Sequence, residues 1–210
     1  MGKTNNIAYN TAKSILIKLD STRDASSTKA LLANMRNSAD KDISNNVDAL
    51  AYVFSNLSYG EDDRGGELSY MEQAIFTAIQ MYAIHQQSNV ESVLKFGNND
   101  ENESGEKKNK YKANIGDALA TLRSDESESI DKRFNAMITA TNFNKLSYHL
   151  RQMIKILKSK SDAKVDYAKL AEDLYWFMIG RKEEVRLSWA RSYYKYRKNE
   201  EMEGEIKNEK

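Results

Sequence analysis

The sequence predicts an all-α protein built as two small helical bundles, with about nine helices in total. Three observations predict it. First, its 210 residues contain no proline, where average usage of about 5% would give about ten. Second, strong helix formers dominate and no stretch sustains the apolar–polar alternation of a strand. Third, Arg133 to Tyr194 carries apolar residues at helical steps almost throughout, interrupted by the single glycine Gly180.

Helices are expected over about 5–20, 25–38, 43–57, 67–88, 113–123, 127–140, 142–159, 166–179 and 181–198, with ends defined to within several residues. The second places Leu31, Leu32 and Met35 just before Arg36. The fourth opens on Ser69-Tyr70-Met71-Glu72, a capping-box signature in which the Ser hydroxyl and the Glu carboxylate satisfy free backbone N–H groups. It then holds the most apolar run of the chain, Ala74 to Ile84. The seventh carries Leu146, Leu150, Met153, Ile154 and Leu157 on one side. Asp166 is placed to cap the eighth. Gly180 ends it, where a left-handed residue closes one helix and starts a turn. In the ninth, Trp189, Tyr193 and Tyr196 follow one face, and with Trp176 they read as a core or protein-interface stripe more than as base-stacking groups.

Residues 59–66 form a short polar loop, and residues 96–112 are poor in apolar residues and rich in Asn, Glu and Lys. The second segment cannot bury much surface and is expected to be mobile. It divides the chain into an N-terminal bundle, 1–95, and a C-terminal bundle, 113–198, followed by an acidic tail, 199–210. The tail is either a separate appendage or a continuation of the last helix.

Composition excludes several classes. Without cysteine there are no disulfides, thiolate metal sites or cysteine nucleophiles. His85 and His149 lack partners at metal-ligand spacing, so no metal or other cofactor is expected. No nucleophile elbow, P-loop or dinucleotide fingerprint occurs, so neither enzymatic activity nor a small-molecule substrate is expected. The N-terminus has no signal-peptide core, and the Ala74–Ile84 run is too short to span a bilayer. A cytoplasmic protein without a membrane partner is the expectation.

The formal net charge is only +1, but its distribution is uneven. Residues 130–198 hold sixteen Lys/Arg against seven Asp/Glu, residues 61–97 two against six, and residues 199–210 two against five. Positive charge therefore collects in the C-terminal half. Arg151, Lys155 and Lys158 follow a second side of the seventh helix beside Tyr148, with Lys132 and Arg133 upstream and Arg123 ending the fifth helix. Long cations at helical spacing suit a phosphate backbone. The competing reading pairs Arg133, Arg151 and Arg191 with Asp131, Glu172, Asp173 or Glu184 inside the bundle. Arg36 has two uses of the same kind: complementing the carbonyl end of its own helix, or reaching outward to phosphate with Lys29 two turns earlier. Lys107, Lys108, Lys110 and Lys112 form a further cluster, balanced by nearby Asp and Glu.

Six short strings appear in one order along the chain. They are Ala30-Leu31-Leu32-Ala33-Asn34-Met35-Arg36, Met81-Tyr82-Ala83-Ile84-His85-Gln86-Gln87, Arg133-Phe134-Asn135-Ala136, His149-Leu150-Arg151-Gln152, Val165-Asp166-Tyr167-Ala168-Lys169-Leu170 with Asp173-Leu174, and Val185-Arg186-Leu187-Ser188-Trp189-Ala190-Arg191-Ser192-Tyr193-Tyr194. This ordered set resembles the CasB-type small subunit of the type I-E CRISPR Cascade complex, over roughly residues 29–195. The chain departs from that pattern in three places. Asn37 stands where the family often has a second basic residue, and the 96–112 loop and the acidic tail look like additions.

The resemblance implies two helical bundles and a non-catalytic subunit present in more than one copy. Its implied partners are other Cascade subunits, a second copy of itself, guide RNA, and target DNA with its displaced strand. Base pairing reads the sequence in such a complex, and the protein supplies backbone contacts. The candidate nucleic-acid-binding residues are Lys29, Arg36, Arg123, Lys132, Arg133, Arg151, Lys155, Lys158, Arg186 and Arg191. The alternative is a helical protein–protein adaptor without direct nucleic-acid contact.

Overall fold

The computed structural model of the protein describes residues 7–38, 47–57, 68–97, 113–124 and 128–208, with side chains of the last helix described as far as Lys195. The fold is all-α. Its helices are α1 (Ile7–Ser21), α2 (Ser26–Ser38), α3 (Val47–Phe54), α4 (Tyr70–Gln86), α5 (Ile115–Ala120), α6 (Glu128–Ile138), α7 (Phe143–Lys160), α8 (Tyr167–Trp176) and α9 (Lys182–Asn208), with a π-type turn, Phe177–Arg181, between the last two. Most of the 96–112 segment, with its lysine cluster, lies outside the described residues. The backbone of the acidic tail continues α9.

α4 is apolar on every side, and such a helix must be covered on every side. Every residue from Ala74 to Gln86 is buried. Four helices supply the cover: α1, α2, α7 and α8. Ser69 opens α4 as expected, its hydroxyl accepting from the Glu72 backbone N–H while its own N–H donates to the Glu72 carboxylate.

The packing crosses the 96–112 boundary. α8 lies against α1 and α4, and one continuous core runs from Tyr9 in α1 to Tyr193 in α9. Asp166 does more than cap α8. One carboxylate oxygen accepts from the Lys169 backbone N–H at 2.8 Å, and the other takes the Tyr9 hydroxyl and the Gly97 N–H. The same junction holds an isolated parallel bridge, Leu94 with Val165, the one β pairing among the described residues.

α5 and α9 approach closely because residue 116 is glycine. A Cβ there would lie 2.3 Å from the Trp189 carbonyl oxygen. Asn114 caps α5 through the Gly116 N–H and reaches across to the Ser188 and Ser192 hydroxyls. Beside this contact, Lys169 sits between Glu172 (2.8 Å) and Asp173 (2.6 Å), and Asp173 also accepts from the Trp189 indole N–H at 2.8 Å. α8 is thereby tied to α9 through a buried charge cluster. Gly180 breaks the helix between them at φ +98°, a left-handed conformation that glycine adopts without steric cost.

Candidate nucleic-acid interface

The five residues of the α7 apolar stripe, Leu146, Leu150, Met153, Ile154 and Leu157, are all buried. The basic residues on the same helix divide by angle. At about 100° per residue, Arg151 lies about 60° round from Ile154, on the shoulder of the apolar stripe, whereas Lys155 points away from it. Arg151 is accordingly buried, at 6% exposure, and Lys155 is exposed. The outward stripe Arg151–Lys155–Lys158 expected from the sequence is corrected on this point. Burial also pulls the Arg151 pKa below its ordinary value.

Three other candidates have ionic partners, two inside the fold and one at its surface. Arg123 makes a two-point contact with Asp131, at 3.1 and 3.3 Å, and its guanidinium lies over the rings of Tyr193 and Tyr194. Asp131 holds that arginine's pKa above its ordinary value against the opposing effect of burial. Arg186 pairs with Glu183 and donates to the Ala140 carbonyl at 2.5 Å. Lys132 pairs with Glu128, but both side chains are largely exposed, and such a pair holds its lysine weakly. Arg191, Arg133 and Lys29 are exposed, and no ion pair ties them among the described residues. The internal partners weighed for Arg133 and Arg191 are taken by other cations: Asp131 by Arg123, Glu172 and Asp173 by Lys169, and Glu184 by Arg181.

One pair comes together from distant parts of the chain. Arg36, near the end of α2, donates to the Ala83 carbonyl at 3.4 Å. Lys158, in the last turn of α7, donates to the Gln87 side chain at 3.1 Å. Ala83 and Gln87 are one turn apart at the C-terminal end of α4, about 6 Å along its axis. Arg36 therefore serves a carbonyl end, but that of α4 and not of its own helix. Free carbonyls at a helix C-terminus attract cations, which accounts for the Arg36 donor; the Lys158 donor goes to the side-chain amide oxygen of Gln87. The other N–H groups of Arg36 and the remaining two of Lys158 are left over, and no carboxylate pairs with either residue among the described residues.

The electrostatics agree with an unneutralised cluster. Burial first, and then the neighbouring Arg36 charge, hold the Lys158 ammonium below its ordinary pKa, and burial lowers Arg36. Beneath them His85 is 1% exposed and meets the Tyr167 hydroxyl at 2.9 Å. Burial, then the Lys158 charge, push its pKa down to about 4, so it stays neutral and adds no charge at pH 7.

A second locus lies between α6 and α7. Lys132, Arg133 and Ala136 of α6 face Tyr148, His149 and Gln152 of α7 across a cleft of about 320 Å³. The sequence singles out Tyr148, Lys132 and Arg133 but does not bring the two helices face to face. Among the described residues, no cluster of three potential metal ligands occurs, and no helix is long and apolar enough to cross a membrane.

Comparison with known proteins fits this architecture. The chain matches the family described as CRISPR-associated protein Cse2 over residues 31–194. Three solved structures are similar to it. CasB from Thermobifida fusca superposes with a TM-score of 0.66 at 21% identity, over 89% of this chain and 97% of that one. CasB from M. ruber gives 0.59 at 26% identity, over 82% and 88%. A Cse2-family CRISPR-associated protein from Thermus thermophilus gives 0.61 at 22% identity, over 87% and 97%. No curated protein matches the chain in sequence. The family match spans well over half of the chain and the fold agrees with it along nearly its whole length; the chain belongs to the CRISPR-associated Cse2 family, as a CasB-type small subunit of Cascade.

Proposed function

We propose that this subunit is non-catalytic, works in the cytoplasm within a type I-E Cascade, and binds nucleic acid without sequence preference. It steadies the guide RNA–target DNA heteroduplex and the displaced strand. The observation that carries this reading is the convergence of Arg36 and Lys158 at the end of α4, with no carboxylate paired to either among the described residues. Two neighbouring cations, each with donors to spare, favour an anion between or beside them. Lys29 on α2 and Lys155 on α7 extend positive charge outward from that point.

A modest number of such contacts is sufficient. The heteroduplex formed in an R-loop is about as stable as the duplex it replaces, so small contributions from protein–backbone contacts tip the exchange. The partners of this reading are the other Cascade subunits, a second copy of the chain, the guide RNA and both target strands.

Affinity purification of the tagged chain from its native cells tests the assembly. Co-purification of several Cascade subunits with a discrete, repeat-derived RNA is the expected result. Recovery of the chain alone, or with RNA of heterogeneous length, refutes it.

A further inference from the structure

The cleft between α6 and α7 differs in kind from the Arg36–Lys158 pair. One wall is cationic, from Lys132 and Arg133; the other presents an aromatic ring, an imidazole and a side-chain amide. Tyr148 is 54% exposed. Its ring meets His149 in a T-shaped contact, with centroids 5.3 Å apart at 77°, so that ring is not stacked in parallel on the tyrosine. Arg133 opposite it has no ion pair among the described residues, and Lys132 is held only by an exposed pair.

A large exposed aromatic flanked by an arginine without an ion pair among the described residues and by a weakly held lysine is an arrangement that suits an unpaired nucleotide. The ring stacks on the base, and the cations take the phosphate. A core role does not account for Tyr148, because the apolar stripe of α7 lies on the opposite side of the helix. The cleft volume, about 320 Å³, lies at the small end of ligand sites. It suits one nucleotide and excludes a duplex. Gln152 adds an amide that donates or accepts, and so tolerates any base. Lys155 follows Tyr148 by two turns on the same face of α7, about 10 Å along the axis, in line for a following phosphate.

We infer that the α6–α7 cleft is a stacking site for a single unpaired nucleotide, with Tyr148 beneath the base and Arg133 and Lys132 on the phosphate. This inference rests on the nucleic-acid-binding reading above but makes a separate demand. Backbone contacts alone leave bases untouched, whereas this site holds one.

The test uses the purified full-length chain and a single-stranded DNA of about 12 nucleotides carrying one 2-aminopurine. A matching RNA and a duplex of the same sequence complete the set. Binding of a single strand should quench the 2-aminopurine fluorescence, and the strand type giving the larger response identifies the source as displaced DNA or guide RNA. Tyr148→Ala should abolish the quenching and weaken single-strand binding about tenfold or more. Tyr148→Phe should retain both, and duplex binding should be unchanged in either variant. Helicity by circular dichroism should be unaltered, since Tyr148 is exposed. Single-strand binding without quenching, or an unchanged affinity in Tyr148→Ala, overturns the stacking site while leaving the backbone reading intact. Absence of binding to every probe at low salt overturns both.

Discussion

Replacing Arg36 and Lys158 together by glutamine removes two cations while keeping polar side chains of moderate length. Each phosphate neutralised on duplex DNA contributes about 0.9 to the slope of log affinity against log salt. The double variant should therefore bind with a slope shallower by about 1.8. Extrapolated from about 1 M salt, where the electrostatic contribution vanishes, the loss is about 60-fold at 0.1 M and about 5-fold at 0.4 M. On single strands, with about 0.7 per phosphate, the loss at 0.1 M is about 25-fold. The structural side effect is small. Arg36 gives up one hydrogen bond of 3.4 Å and Lys158 one of 3.1 Å, together worth about 1–2 kcal/mol at most. Fluorescence anisotropy across a salt series reads the slope, and a thermal melt checks the fold. Parallel slopes for the two proteins would show that neither residue contacts phosphate. A loss of affinity that is the same at every salt concentration would mean the substitutions act through the fold and not through charge.

Other perturbations separate the remaining roles. Lys169→Met should destabilise the protein by about 3–5 kcal/mol, because two buried carboxylates lose their shared cation; at about 2–4 °C per kcal/mol the midpoint of a thermal melt should fall by about 6–20 °C, and a shift of under about 3 °C would refute the buried-cluster account. Arg151→Glu should lower the melting temperature by a comparable amount, whereas Lys155→Glu should leave it within about 2 °C and weaken DNA binding; equal melts for the two variants would contradict the division of α7 into a buried shoulder and an exposed face. His85, with its pKa pushed down to about 4 against an unfolded value of 6.5, contributes stability that is fully present above pH 6.5 and declines as pH falls toward 4. The full loss is about 3 kcal/mol, and an NMR titration of the His85 ring with a midpoint near 6.5 would refute it.

How far the sequence reaches is clearest on α7. Periodicity returned every buried apolar residue of that helix, because a 3.6-residue repeat fixes the angle at which each side chain leaves the axis. It placed Arg151 and Lys158, seven residues apart, on the same line, yet one is buried and the other half-buried. The angle is common to both; the cover is not. Burial at each turn depends on what α4, α5 and α6 lay over it, and α4 reaches α7 through contacts remote in sequence. The caps were legible for the opposite reason. Ser69 with Glu72, and Asp166 with the Lys169 N–H, act within three residues, so no tertiary knowledge is needed. The further partners of Asp166, namely Tyr9 and Gly97, come from elsewhere and were not legible.

The same distinction governs the interface. Arg36 and Lys158 were each recognisable as candidates, but their meeting was not, because it is arranged by a third element. α4 is buried along nearly its whole length, and α2 and α7 bring basic residues to its C-terminal end, Arg36 to the Ala83 carbonyl and Lys158 to the Gln87 side chain. A buried central helix thus determines where the charge collects. This also explains why the net charge of +1 is a poor guide to the partner. Acidic residues engage Arg123, Lys169 and Arg186, and what remains is a small set of cations whose positions, not their sum, decide whether they follow a phosphate chain. Positions of that kind can be exchanged for others on the same helices without changing composition at all. A variant that keeps the overall charge but moves Lys158 one residue along α7 should therefore lose the Arg36 partnership as completely as one that deletes it.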